Sequence, residues 1–311
     1  MKFYVTPLLL LSVLSSCSNN TSVEPEVKEA EQTTESIQVD GRARTYVQYL
    51  PKGWNLEIAM PLVFALHGGS VGNPKNMMNN VDLRELADSD KFIAVYPAGV
   101  ANNWNDGRPT DANLLGVDDV VFFSALIDKM VSNFDIDTGA VFVTGVSNGG
   151  FMASRLGCEL SDKIAAFAAV SATIEANDIF PNCNPSNNVS ALYIHGTLDT
   201  FVPFEGGELT KGDGGFAVSH SNAVNKWVTL NEISSNPVIT NLPDVANDGT
   251  TITESVYSNS SVEVIGYVVE NGGHTWPQGT GPNYPNLVGI KSMDMNATEV
   301  IWEFFKRNKR G

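Results

Sequence analysis

Residues 140–156, AVFVTGVSNGGFMASRL, constrain this chain more than any other stretch. AVFVTG is apolar on both faces and rich in β-branched and aromatic residues, the pattern of a parallel strand covered on both sides. From Asn148 onward Met152, Leu156 and Leu160 recur at helical spacing. Ser147 therefore stands where a strand turns directly into a helix. Gly145 and Gly149 flank it in a G-x-S-x-G arrangement, at points where a Cβ would collide with neighbouring backbone. A turn this sharp lifts the serine hydroxyl clear of the strand end.

The same alternation runs along the chain. Apolar runs at 62–67 (LVFALH), 92–97 (FIAVYP), 165–172 (AAFAAVSA), 191–196 (ALYIHG) and 262–269 (VEVIGYVV) predict further buried strands. Between them, residues 119–134 keep Leu126, Met130 and Phe134 in step on a helix. The last segment opens with a capping box, Asn296 and Glu299, and closes on cations suited to a helix C-terminus. Upstream, SIQVDGRARTYVQYLP alternates polar and apolar residues about Asp40-Gly41, a hairpin signal. The expected fold is one α/β domain over residues 36–311: a mostly parallel, doubly wound sheet with an N-terminal antiparallel hairpin.

Residues 1–16 pair Lys2 with an apolar stretch and read as an export signal. LSSC, ending at Cys17, resembles the lipobox of bacterial lipoproteins, which implies lipidation of Cys17 and anchoring at the outer membrane; secretion in soluble form is the alternative. Residues 17–35, rich in Ser, Thr and Glu with almost no large apolar side chains, are expected to form a disordered tether. Past Cys17 two cysteines remain, Cys158 and Cys183, and in an exported protein such a pair points to a disulfide. The chain carries 35 acidic against 19 basic residues, a formal charge of −16, which argues against a nucleic-acid partner. No protein partner is evident, and the membrane is reached only through the anchor.

A nucleophilic serine needs a base, and the base a carboxylate to orient it. In this kind of fold the chain order is Ser, acid, His. Of the four histidines, His67 precedes Ser147 and reads as a support of the next loop, and His195, at a strand end, as structural. His220 is expected on the surface near a helix start. His274 follows the strand 262–269 through the loop ENGG, where a catalytic imidazole belongs. Asp199, in HGTLDTFVP just after the strand 191–196, lies between Ser147 and His274; Asp118 and Asp119 read as helix caps. HGGS (67–70) follows a strand and would present one oxyanion N–H, assigned to Gly69 with Gly68 and Ser70 as alternatives, the other coming from Asn148. No metal or organic cofactor is needed for such chemistry.

Seven blocks, LHGG, VYPAG, VDDVVFF, GVSNGG, HGTLDTFVPFEGG, GGHTWPQG and ATEVIWEFF, occur in order over residues 36–311. Together they resemble the polyhydroxybutyrate depolymerase-like esterases, which overlap the feruloyl and acetylxylan esterases of carbohydrate esterase family one. The resemblance implies an α/β-hydrolase fold, serine esterase activity, and a triad that falls on Ser147, Asp199 and His274. It favours feruloyl or acetyl esters of plant polysaccharide, with hydroxyalkanoate or short-chain esters as the alternative. Relatives often carry a further Cys where Glu232 and Ile233 stand here. Trp104, in the loop 99–109, Trp276 and Phe201 are the expected aromatic wall for substrate. A peptidase of the same fold and a non-catalytic binding lipoprotein are the competing classes; the intact Ser, Asp, His set favours the enzyme.

Overall fold

In the computed structural model, which describes residues 1–3, 28–55, 57–70 and 72–311, the apolar runs become neighbouring strands. The strands are β1 (Glu31–Val39), β2 (Arg42–Leu50), β3 (Met60–Leu66), β4 (Ile93–Pro97), β5 (Ile136–Val146), β6 (Ala166–Val170), β7 (Ser190–Gly196), β8 (Gly207–Glu208), β9 (Phe216–Ala217), β10 (Val238–Asn241), β11 (Thr251–Ser258) and β12 (Glu263–Glu270). Ten of them form one sheet in the order β1-β2-β4-β3-β5-β6-β7-β12-β11-β10. Its middle, β4 to β12, is parallel, and antiparallel strands extend both edges. The small pair β8 and β9 stands apart.

The helices are α1 (Pro74–Asn80), α2 (Arg84–Asp90), α3 (Asp111–Leu114), α4 (Asp119–Asn133), α5 (Asn148–Glu159), α6 (Ile179–Asn182), α7 (His220–Leu230), α8 (Pro285–Val288) and α9 (Ala297–Arg307). Successive side chains of a strand point to opposite faces, so each buried strand feeds two cores. Leu62, Phe64 and Leu66 of β3 join Phe122, Leu126, Met152, Leu156 and Trp227 from α4, α5 and α7. Val63 and Ala65 join Met77, Ala87, Ile301, Trp302 and Phe305 from α1, α2 and α9. Asn296 caps α9, its side chain accepting the N–H groups of Thr298 and Glu299. Asp118 likewise caps α4 through Val121 N–H.

The hairpin turns at Asp40 and Gly41, both at positive φ (49° and 70°), with Val39 opposite Arg42, the two-residue turn that matches strand twist. One boundary differs from expectation: β1 begins at Glu31, so residues 31–35 are strand rather than tether. An edge strand is held by its ladder of backbone hydrogen bonds and needs no apolar side chains, which is why its polar composition misleads. The export signal, Cys17 and the first part of the tether lie outside the described residues, apart from Met1–Phe3. Cys158 at the end of α5 and Cys183 after α6 are joined in a disulfide, with Cα atoms 5.1 Å apart. Closing a loop of this size contributes about 3 kcal/mol.

Candidate active site

At the junction of β5 and α5, Ser147 holds φ 55° and ψ −124°, a conformation that costs a non-glycine residue of order 1–3 kcal/mol. Its surroundings fix it there. The Ser147 N–H donates to Val170 O of β6 at 2.9 Å, and its carbonyl accepts from Gly150 and Phe151. A Cβ at Gly145 would stand 2.4 Å from the Gly149 carbonyl, and one at Gly149 2.4 Å from Leu66 O, so any side chain at either glycine would push the helix off the sheet.

Asp199 sits in the turn after β7, 5% exposed. Its Oδ1 accepts the N–H groups of Phe201 (2.8 Å) and Val202 (2.9 Å), and Oδ2 faces His274 Nδ1 at 2.8 Å. Burial opposes ionisation of this carboxyl. The neighbouring His274 and His195, by charge and hydrogen bonding, outweigh it and hold the group well below the usual carboxylate range. An ionised carboxylate only accepts, so His274 Nδ1 carries a proton towards it, and in the neutral imidazole the lone pair lies on Nε2. The loop bearing His274 is pinned rather than free, by Gly273 N–H to Ile290 O (2.8 Å) and His274 N–H to Val288 O (2.6 Å). Phe201 stacks on the imidazole at 5.0 Å between centroids. His274 opens into a cleft of about 540 Å³ bounded by Gly68, Gly69, Met77, Trp276 and Tyr284.

Gly68 borders the serine: a Cβ on it would lie 3.5 Å from Ser147 Cβ. Ser70 N–H is already donated to Asn103 Oδ1 at 3.2 Å. The N–H of Asn148 opens α5, where no intrahelical acceptor exists. A Cβ on Gly69 would meet Asn103 Oδ1 at 2.5 Å and Asp213 Oδ2 at 2.9 Å, so the loop between β8 and β9 reaches this rim. Burial raises the Asp213 carboxyl above its ordinary value, against the pull of Arg108.

The other histidines divide as expected, with one exception. His67 Nε2 accepts Gly99 N–H at 2.9 Å, which leaves Nδ1–H to donate to Gly68 O at 2.7 Å. Burial pushes this imidazole down to about 4, so it is neutral and supports the loop. His195 is fully buried, with Nε2 2.9 Å from Val202 O and 3.5 Å from Asp199 Oδ2. His220 corrects the reading of a solvated residue. It is buried at the start of α7, stacked on Phe204 at 5.1 Å, and burial lowers it to about 3. The signal for this was Gly266, mid-strand in VEVIGYVV: a Cβ there would stand 3.1 Å from His220 Nε2.

The aromatic wall is corrected at Trp104. Trp104 is 0% exposed, its ring packed on His67 and its Nε1–H donated to His67 O at 2.9 Å. Trp276 borders the cleft but is 2% exposed and donates to Thr298 Oγ1. Trp104 therefore offers no ring face to a ligand, Trp276 keeps only a sliver of surface at the cleft wall, and Phe201 remains half-exposed at the site. Sequence reasoning missed the polar network behind Trp104. Asp106 and Arg108, both buried, form an ion pair at 2.6 Å, and Asp119, read as a cap, instead pairs with buried Arg44 at 2.6 Å.

Residues 118–213, spanning Ser147 and Asp199, match the family described as phospholipase/carboxylesterase. The putative esterase NocK of Nocardia uniformis subsp. tsuyamanensis is 28% identical over 290 residues, 89% of this chain and 83% of that protein. Feruloyl esterase C of Emericella nidulans is 27% identical over 275 residues, covering 86% of this chain and 85% of its own. The protein is an esterase of the α/β-hydrolase superfamily. In fold it superposes on an acetyl xylan esterase from Aspergillus awamori with a TM-score of 0.61, at 14% identity, over 88% of this chain and 99% of that one.

Proposed function

We propose that this esterase uses Ser147 as nucleophile, His274 as general base and Asp199 as the carboxylate that orients it. The observation that carries the reading is the 2.8 Å contact from Asp199 Oδ2 to His274 Nδ1, which leaves Nε2 as a proton acceptor at the cleft. His274 Nε2 takes the hydroxyl proton of Ser147 as Oγ attacks the ester carbonyl. The N–H groups of Gly69 and Asn148 hold the tetrahedral oxyanion. The imidazolium then gives its proton to the leaving alkoxide, and water, deprotonated by the same imidazole, releases the acid from the acyl-enzyme.

The substrates in this reading are feruloyl or acetyl esters of plant polysaccharide. Support comes from the relatives named feruloyl esterase and from a cleft of a size suited to a small aromatic or acyl group, with Phe201 beside the imidazole. The reading includes export and lipidation of Cys17, supported by the sequence around that residue and by a disulfide of the kind found in oxidising compartments.

The test is a steady-state panel of p-nitrophenyl acetate, p-nitrophenyl butyrate, methyl ferulate, acetylated xylan and a hydroxybutyrate oligomer. Ser147→Ala is expected to lower kcat by more than about 10³-fold on every ester cleaved. Full activity in that variant overturns the triad. Preference for the hydroxybutyrate oligomer overturns the substrate class alone.

A further inference from the structure

The residue after Ser147 does more than supply an N–H. The Asn148 side chain is buried and fully engaged by the loop 99–110. Its Oδ1 accepts Trp104 N–H at 2.7 Å, and its Nδ2 donates to Trp104 O at 3.0 Å and to Asp106 Oδ2 at 2.6 Å. Asp106 is itself locked. It accepts the Arg108 backbone N–H at 3.0 Å, Nε at 3.0 Å and Nη2 at 2.6 Å. The Arg108 guanidinium lies 4.1 Å from the ring centroid of Phe151, one turn further along α5.

The same loop grips the opposite side of the serine. Trp104 Nε1–H holds His67 O, Gly99 N–H holds His67 Nε2, and Asn103 Oδ1 holds Ser70 N–H. The chain segments carrying Gly69 and Asn148 are thus tied to one rigid piece, and their separation is set by the loop's own hydrogen bonds.

We propose that the loop 99–110 braces the oxyanion hole, with Asp106 a positioning residue that holds the Asn148 N–H in line through the Asn148 side chain. The proposal rests on the reading of Ser147 as nucleophile. A donor serves an oxyanion only at about 2.7–3.1 Å, so a shift of a few tenths of an ångström in the first turn of α5 weakens the transition state more than the ground state. Asn148→Ala keeps the backbone N–H and removes only the clamp, which separates positioning from donation.

The experiment measures kcat and KM on p-nitrophenyl butyrate for Asn148→Ala and Asp106→Asn. Functional sites are counted by end-point labelling with a fluorophosphonate, so that misfolded protein drops out. An aryl trifluoromethyl ketone, whose adduct with the serine places an oxyanion in the hole, reports the hole itself. In Asn148→Ala, kcat per labelled site should fall about 10- to 100-fold with KM within about two-fold, and ketone affinity should weaken by a similar factor. Asp106→Asn, which keeps an oxygen able to accept from Asn148, should lose less than Asn148→Ala on both measures. Unchanged kcat per labelled site, or reduced kcat with unchanged ketone affinity, overturns the brace. A Ser147→Ala variant that stays active overturns the triad reading instead, and the two failures are told apart.

Discussion

The serine stands between two walls built in opposite ways. On one side, the loop 99–110 carries Trp104, Asp106, Arg108 and Thr110, all buried, with their polar side-chain groups tied to backbone or to each other. On the other, residues 276–293 descend from the His274 loop past Tyr284, 59% exposed, and Leu287, 61% exposed, to Ile290 and Met293. The packed wall fixes atoms, since each of its buried polar groups would be left unsatisfied by a small displacement. The open wall has no such network at its apolar tips, so its surface can change without disturbing the fold. In the reading proposed above, a site divided in this way would keep its reaction geometry on one side and meet different substrates on the other.

The comparison breaks first at Asp106. Asp106→Ala strands the Arg108 guanidinium, which is buried and has its carboxylate partner at 2.6 Å. Removing one member of a buried pair costs about 3–5 kcal/mol, since the other charge is left desolvated and unpaired. Urea unfolding should show a loss of that size through a lower midpoint at unchanged slope. A loss under about 1 kcal/mol would mean that water reaches Arg108 and that the wall is not packed as described.

Next comes pH. His67, under the packed wall, is held down to about 4 by burial, against about 6.5 in an unfolded chain. Between those values the unfolded state binds the proton that the folded state refuses, so stability is lost as pH falls from about 6.5 towards about 4. The slope is about 1.4 kcal/mol per pH unit for this one imidazole, and stability is independent of its titration above about pH 7. His220, lowered to about 3, adds a similar slope from the α7 side of the sheet. Unfolding series from about pH 4.5 to about pH 6.5 on wild type and His67→Gln should differ in slope by about that amount, whatever constant offset the substitution brings. Equal slopes would show that the unmutated imidazole protonates in place.

Much of this was legible in the chain because burial leaves a plain signature. β3 to β7 and β12 are covered on both faces and read as unbroken apolar runs. β10 and β11, exposed or half-exposed along most of their length, carry no such run and were hidden in a segment that looked like loop. β1 was placed late for the same reason. The candidates Ser147, Asp199 and His274 came from turn chemistry and chain order, which are local properties. Trp104 and His220 were misplaced because their surroundings come from distant segments: His67 and Asn148 for the indole, β7 and β12 for the imidazole. The brace could not be read at all, since NWNDGRP is polar and Gly-containing like any surface loop until Asn148 is known to face it.

The smallest effects belong to the open wall and test its independence. Tyr284 lines the cleft, and Leu287 follows it on α8 with its N–H donated to Tyr284 O; both are mostly in water, so Tyr284→Ala and Leu287→Ala remove little buried area and should change stability by no more than about 0.5 kcal/mol. Their influence should appear in substrate choice. KM for methyl ferulate or acetylated xylan is expected to rise several-fold, with kcat for p-nitrophenyl acetate unchanged. A drop in kcat for the acetate would tie this wall to the reaction geometry, through the Val288 and Ile290 carbonyls that pin the His274 loop. The contrast between a wall that fixes and a wall that selects would then have to be redrawn, with Pro285–Val288 moved to the first kind.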